Sequence, residues 1–81
     1  MDLAEEVYEY IWRYVTENEA LPSQQAVGEA LGLSRGEMIA AIAALRAQGR
    51  IEQRGILPTA YRAWWREYVR ARWSYKALRS S

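Results

Sequence analysis

The sequence predicts a small, mostly α-helical fold in which three helices are followed by a short β-hairpin and an added C-terminal helix. Three observations predict it. Apolar residues recur at helical spacing, serine and glycine residues stand where helices begin and end, and the segment RIEQRGILP can form two short strands around a glycine. With 81 residues the chain has room for one core, so we expect a single domain over residues 1–81.

The first helix is predicted over residues 2–19 because its apolar residues fall on one face. Tyr8 and Trp12 lie outside that face, so this helix needs a second apolar neighbour. The apolar face consists of Leu3, Val7, Tyr10, Ile11 and Tyr14.

Two helices joined by a tight turn follow, at residues 23–32 and 35–48. Ser23 is the predicted N-cap of the first, Gly32 ends it, and Ser34 with Glu37 forms a capping box for the second. Gly28 stands where two helices cross closely, since a helical glycine otherwise costs about 1 kcal/mol relative to alanine.

A short wing is predicted over residues 50–57 and a C-terminal helix over residues 59–79. Ile51, Ile56 and Leu57 are expected to face inward from the wing. This order of elements is that of a winged helix-turn-helix.

The stretches IWRYVTEN and LPSQQAVGEALGLS resemble the N-terminal domain of LexA-type repressors. LGLSRGEMIAAIAALRAQGRIEQRG is similar to bacterial regulators of the GntR and MarR types. The resemblance covers about residues 3–57 and implies a DNA-binding regulator whose second motif helix enters the major groove.

The composition argues against an enzyme. The chain has no Cys and no His, so we expect no catalytic residue, no metal site and no cofactor. Glu5 and Glu9 share a helix face, but Glu9 is better placed to pair with Arg13. No apolar run or leader segment indicates a membrane, and we expect a soluble cytoplasmic protein associated with the nucleoid.

The outer face of the third helix is smooth, and it has three possible roles. It can approach a DNA groove closely, pack against a protein helix, or be a plain solvent face. Ile39 departs from the GntR type, which commonly has an Arg there. The candidate DNA contacts on the two motif helices are Ser23, Gln24, Gln25, Ser34, Arg35, Ile39, Ala40 and Ala43.

Two further candidate DNA contacts, Arg50 and Arg54, lie on the predicted wing. There they would meet the DNA backbone or the minor groove. The alternative is that these charges only protect a strand edge from unwanted pairing.

The last helix has an aromatic face and a basic face. Its aromatic residues either stack on single-stranded nucleic acid or, as we favour, form core with Trp64, Trp65 and Tyr68 against the first helix. Trp73 lies among arginines, which suits a subunit interface. The predicted dimer or partner interface is Trp12, Trp65, Val69 and Trp73.

Charge is unevenly distributed, with −5 over residues 1–20 and +5 over residues 61–81. This asymmetry fits either a nucleic-acid contact or attraction between two helices. We expect a dimeric transcription regulator that binds double-stranded DNA. The alternative is a protein-interaction module that binds a component of a transcription, replication or defence complex through the third or the last helix.

Overall fold

Four α-helices run through residues 2–80, the part of the backbone that the computed structural model describes; side chains are described for residues 2–71. The helices are α1 (Leu3–Asn18), α2 (Gln24–Leu31), α3 (Arg35–Ala47) and α4 (Tyr61–Ser80).

Side-chain caps begin the first three helices, α2 ends on Gly32, and Gly49 follows the C-cap residue of α3. Asp2, Ser23 and Ser34 each accept a hydrogen bond from a backbone N–H of the first turn. After α2, Gly32 adopts a left-handed φ of 68° and the Leu33 N–H donates to the Gly28 carbonyl at 2.8 Å. This Schellman arrangement turns the chain within three residues, so that α3 begins beside α2.

The core lies where α1 crosses α2 and α3. Two isoleucines of the loop that follows α3 complete it. Apolar side chains recur every three or four residues along α1 and α3, so each helix turns one face inward. The best buried hydrophobic residues are Ala4, Val7, Ile11, Val15, Val27, Met38, Ala41, Ile42, Leu45, Ile51 and Ile56.

The segment after α3 is a loop, and the predicted wing over residues 50–57 is wrong. Within residues 2–80 there is no β-strand, only one isolated antiparallel bridge between Ile51 and Pro58. Proline has no N–H to extend a ladder. The side chain of Arg46 donates to the carbonyls of Glu52 and Gly55, at 3.3 and 2.7 Å, and so takes acceptors that a hairpin would use.

The fold is therefore a small all-α arrangement with a buried loop, and it is not a winged helix-turn-helix. Ile51 and Ile56 are buried as predicted, at 1% and 4% exposure. The loop thus supplies apolar cover for the core although it forms no hairpin.

The last helix joins the rest of the molecule through aromatic rings. Trp12 of α1 meets Tyr61 and Trp64 edge to face, with ring centroids 6.4 and 6.2 Å apart. Trp64 is half-buried and Tyr68 is 39% exposed, so these rings cover α1 without joining the buried core. The molecule measures 54 × 23 × 23 Å.

Candidate functional site

A groove of about 600 Å³ lies between α2 and α3. Gly28 and Met38 both line this groove, and the absence of a side chain at Gly28 lets α2 and α3 approach closely there. A Cβ at Gly28 would lie 3.1 Å from the Met38 Cγ. Most of the groove surface is apolar. The lining residues are Gln24, Gln25, Gly28, Glu29, Gly32, Leu33, Ser34, Arg35, Met38 and Ile39.

The N-termini of α2 and α3 both open at this groove. The Ser23 and Ser34 hydroxyls accept from the N–H groups of Ala26 and Glu37, at 3.0 and 3.1 Å. The Ser23 hydroxyl keeps its own proton, which can be donated to a ligand. The structure therefore brings together five of the predicted contacts at one groove, with Ser23 at its edge: Gln24, Gln25, Ser34, Arg35 and Ile39.

The charges around the groove are mixed. Arg35 is exposed, while Gln25 donates to the Glu29 carboxylate at 3.2 Å. Hydrogen bonds from the backbone and hydroxyl of Ser34 lower the pKa of Glu37, which is consistent with a carboxylate in the first turn of α3. One cation beside two carboxylates gives no strongly positive surface.

The outer face of α3 is open to solvent and nearly free of long side chains. Ile39 is 58% exposed. Ala40 and Ala43 are exposed beside it, as are Gly36 and Ala47. The side of the helix opposite the core is thus smooth, and another helix or a DNA groove can approach its backbone.

The structure places the two loop arginines differently. Arg50 forms an ion pair with Glu5 of α1, and its guanidinium carbon lies 4.0 Å from the centre of the Tyr8 ring. The hydrogen bond to Glu5 raises the pKa of Arg50. Arg50 is therefore engaged within the fold, whereas Arg54 is exposed on the loop.

Sequence reasoning missed Arg46, whose guanidinium holds the loop that carries Arg54. Its place one turn before Gly49 was a usable signal, because an arginine in a last helical turn often binds carbonyl groups. No local signal pointed to the pairing of Arg50 with Glu5, since the two residues are 45 positions apart.

A second surface is formed by aromatic rings of α1 and α4, and we call it the aromatic surface. Neighbouring rings lie between 5.3 and 6.4 Å apart, centroid to centroid. Of the predicted interface residues, Trp12 and Trp65 belong to it, Val69 is half-buried nearby, and the Trp73 side chain lies outside the described residues. The rings are Tyr8, Trp12, Tyr61, Trp64, Trp65 and Tyr68.

Neither surface carries the groups for metal-dependent chemistry within the described part of the chain. No cluster of three His, Cys, Asp or Glu residues there could hold a metal ion. None of the helices described is long and apolar enough to cross a membrane. Comparison with known proteins finds no family model, no curated protein and no solved structure that matches this chain.

Proposed function

We propose that the chain binds double-stranded DNA through α2, the turn and α3, and acts as a homodimeric transcription regulator in the cytoplasm, associated with the nucleoid. The supporting observation is that the capped N-termini of α2 and α3 open at one groove, with Gln24, Gln25 and Arg35 exposed around it. Helix N-termini and amide side chains suit phosphate oxygens.

In this proposal α3 lies in the major groove. The groove is about 12 Å wide and a helix with its side chains is about 10 to 12 Å across, so a face of Gly and Ala eases entry. Ala40, Ala43 and Ile39 would contact thymine methyl groups. Arg35, at the start of α3, would donate to a guanine edge.

The test measures the affinity of the chain for a labelled duplex of about 12 base pairs, roughly one helical turn, over a series of salt concentrations. Binding should weaken as salt rises, because each phosphate contact releases a counterion. Arg35→Ala should weaken binding at least about fivefold. Arg13→Ala is the matched control, since it removes the same charge from an exposed position on α1.

Two results would overturn the proposal. One is duplex binding that does not change with salt. The other is equal affinity for the Arg35→Ala and Arg13→Ala proteins.

A protein partner on the same face is the second candidate, and the exposed Ile39 favours it. A side chain that is 58% exposed beside alanines gives an apolar surface that a partner helix can cover. Ile39→Arg separates the two candidates. If α3 contacts DNA, this variant should bind the duplex more tightly and with a steeper salt dependence. If neither the parent nor the variant binds the duplex, the result favours a protein partner on this face.

A further inference from the structure

The aromatic surface is partly uncovered in the single chain. Its rings stack on one another along α4, with Trp64 and Tyr68 5.3 Å apart, yet Tyr68 is 39% exposed and Trp64 and Trp65 are only half-buried. Tyrosine and tryptophan each offer about 150 to 250 Å² of contact area. The uncovered parts of the Trp64, Trp65 and Tyr68 rings are therefore surface that another molecule can cover.

We infer that the aromatic surface joins two copies of this chain in a twofold dimer, in which the basic side of α4 in each copy lies against the acidic side of α1 in the other. This inference extends the homodimer of the proposed function to a defined surface. It does not depend on DNA binding.

The first support is the shape of α4. Its 20 residues extend about 30 Å. The ring contacts from α1 to α4 involve Tyr61 and Trp64, in its first two turns. Because helices in proteins are stabilised mainly by packing of an apolar face, Trp65, Tyr68 and Val69 gain from a partner.

The second support is charge. Glu5 and Glu9 lie on the side of α1 next to Trp12, and Arg62, Arg66 and Arg70 all lie on one side of α4. The ion pairs among the described side chains are Glu5 with Arg50 and Glu52 with Arg62. The acidic side of α1 and most of the basic side of α4 are therefore not neutralised by each other within one chain.

The arrangement of these charges favours a second copy over an anionic lipid surface or a nucleic acid. Glu9 lies about 60° around α1 from Trp12, at one margin of the aromatic surface, and Arg66 lies about 100° around α4 from Trp65, at the other. An anionic partner would be repelled by Glu9, which lies between Trp12 and Arg13 around α1. A twofold axis instead brings each acidic margin to a basic one, twice.

A concavity beside Trp12 provides a place for a side chain of the second copy. It has a volume of about 330 Å³ and is lined by Tyr8, Glu9, Trp12, Arg13 and Thr16. An arginine from the other α4 would stack on the Trp12 ring there with its charge beside the Glu9 carboxylate, which lies nearer to Trp12 around α1 than Arg13 does.

The test is sedimentation equilibrium of the full chain and of charge-reversed variants. The parent should be a dimer, and Glu9→Lys and Arg66→Glu should each raise its dissociation constant at least tenfold. The double variant should recover most of that loss, because the reversed charges again face each other. Glu17→Lys, which makes the same charge change elsewhere on α1, should leave the constant unchanged.

Two results would overturn the inference: a parent that stays monomeric at high concentration, or reversals that weaken association no more than Glu17→Lys does. If the parent is monomeric, binding to vesicles of anionic lipid would assign the surface to a membrane instead. The duplex of one helical turn needs a single copy of the chain. Failure of DNA binding is therefore distinguishable from failure of the dimer.

Discussion

Gly28 determines how closely α2 and α3 approach. A Cβ there would lie 3.1 Å from the Met38 Cγ and 3.6 Å from the Leu33 carbonyl oxygen, so a larger side chain must displace buried Met38. We expect Gly28→Leu to lower the free energy of unfolding by more than about 2 kcal/mol. Denaturant unfolding followed by tryptophan fluorescence measures it.

Gly36 provides the matched control for this substitution. Nothing lies within 4 Å of a Cβ at Gly36, which is exposed in the first turn of α3. Gly36→Ala should therefore stabilise the chain, by up to about 1 kcal/mol. An unfolding midpoint for Gly28→Leu equal to that of the parent would show that the helices tolerate bulk at their crossing.

Glu37 ties the stability of α3 to pH. Hydrogen bonds from Ser34 lower the pKa of this carboxyl in the folded state, so its stabilising effect is complete above the ordinary glutamate value of about 4.3. The effect is lost as pH falls through the lower, folded-state pKa. We expect Glu37→Gln to melt below the parent at pH 7 and to match it in strong acid.

Ser34→Ala is the companion variant for this test. It removes the hydroxyl that caps the Glu37 N–H at 3.1 Å, at a cost of about 1 kcal/mol, and this loss should remain in acid. A melting difference between parent and Glu37→Gln that stays constant from neutral to acidic pH would contradict the assigned role of the carboxylate.

Side chains that act within a few residues of their own position could be predicted from the sequence. Ser34 and Glu37 cap α3 as their spacing indicates, and Gly28 is buried where two helices cross. Arg50 could not be placed this way, because its partners Glu5 and Tyr8 come from α1. Contacts between distant parts of a chain depend on packing that local patterns do not encode.

At the scale of elements, periodicity and caps predicted four helices, and four are present in residues 2–80. The loop after α3 was misjudged because its apolar residues suit a buried loop as well as they suit a strand. Ile51 and Ile56 can be buried in the core whether the segment forms a strand or a loop, and they are buried here. Pro58 was the available warning, since a proline disfavours a strand in the middle of a sheet.

The connection between this loop and α1 depends on Arg50. Its ion pair with Glu5 is partly exposed, and its guanidinium covers the Tyr8 ring, so we expect Arg50→Ala to cost only about 1 kcal/mol of unfolding free energy. Arg50→Lys should retain part of this, because lysine keeps the charge but loses the planar fork. Thermal melts at low and high salt measure both.

Arg54 gives the comparison, because it is exposed on the same loop. Arg54→Ala should leave the free energy of unfolding within about 0.5 kcal/mol of the parent's value. If Arg50→Ala is equally neutral, the ion pair and the ring contact do not hold the loop on α1.

At the scale of the whole molecule, the attachment of α4 rests on few rings and on the exposed ion pair of Arg62 with Glu52. Trp64 is half-buried between Trp12 and Tyr68, so its truncation to Ala should cost about 2 kcal/mol, less than the 3 to 5 kcal/mol of a fully buried aromatic residue. Unfolding measured on dilute protein, to limit any self-association, gives this value.

Tyr68→Ala serves as the control, because the ring is 39% exposed and its neighbours in contact are on α4 itself. It should cost less than Trp64→Ala. Equal losses would mean that α4 is stabilised along its length and not chiefly at Trp12.

The position of α4 was the feature of the whole molecule hardest to predict. Its amphipathic pattern predicts a helix and an apolar face but not how much of that face is covered. Trp64, Trp65 and Tyr68 therefore read as core, although the structure leaves them half-buried or exposed.

Arg46 has a consequence for how this chain tolerates mutation. The oxygens that it binds belong to the main chain of Glu52 and Gly55, so the path of the loop does not depend on which side chains lie between them. Gln53 and Arg54 can be replaced while the loop keeps its course, whereas Arg46 cannot, since its two hydrogen bonds leave from two nitrogens, Nε and Nη2, of one planar guanidinium. The chain thus separates the residue that shapes the loop from the residues that the loop displays, and new surface chemistry can arise at positions 53 and 54 without loss of the fold.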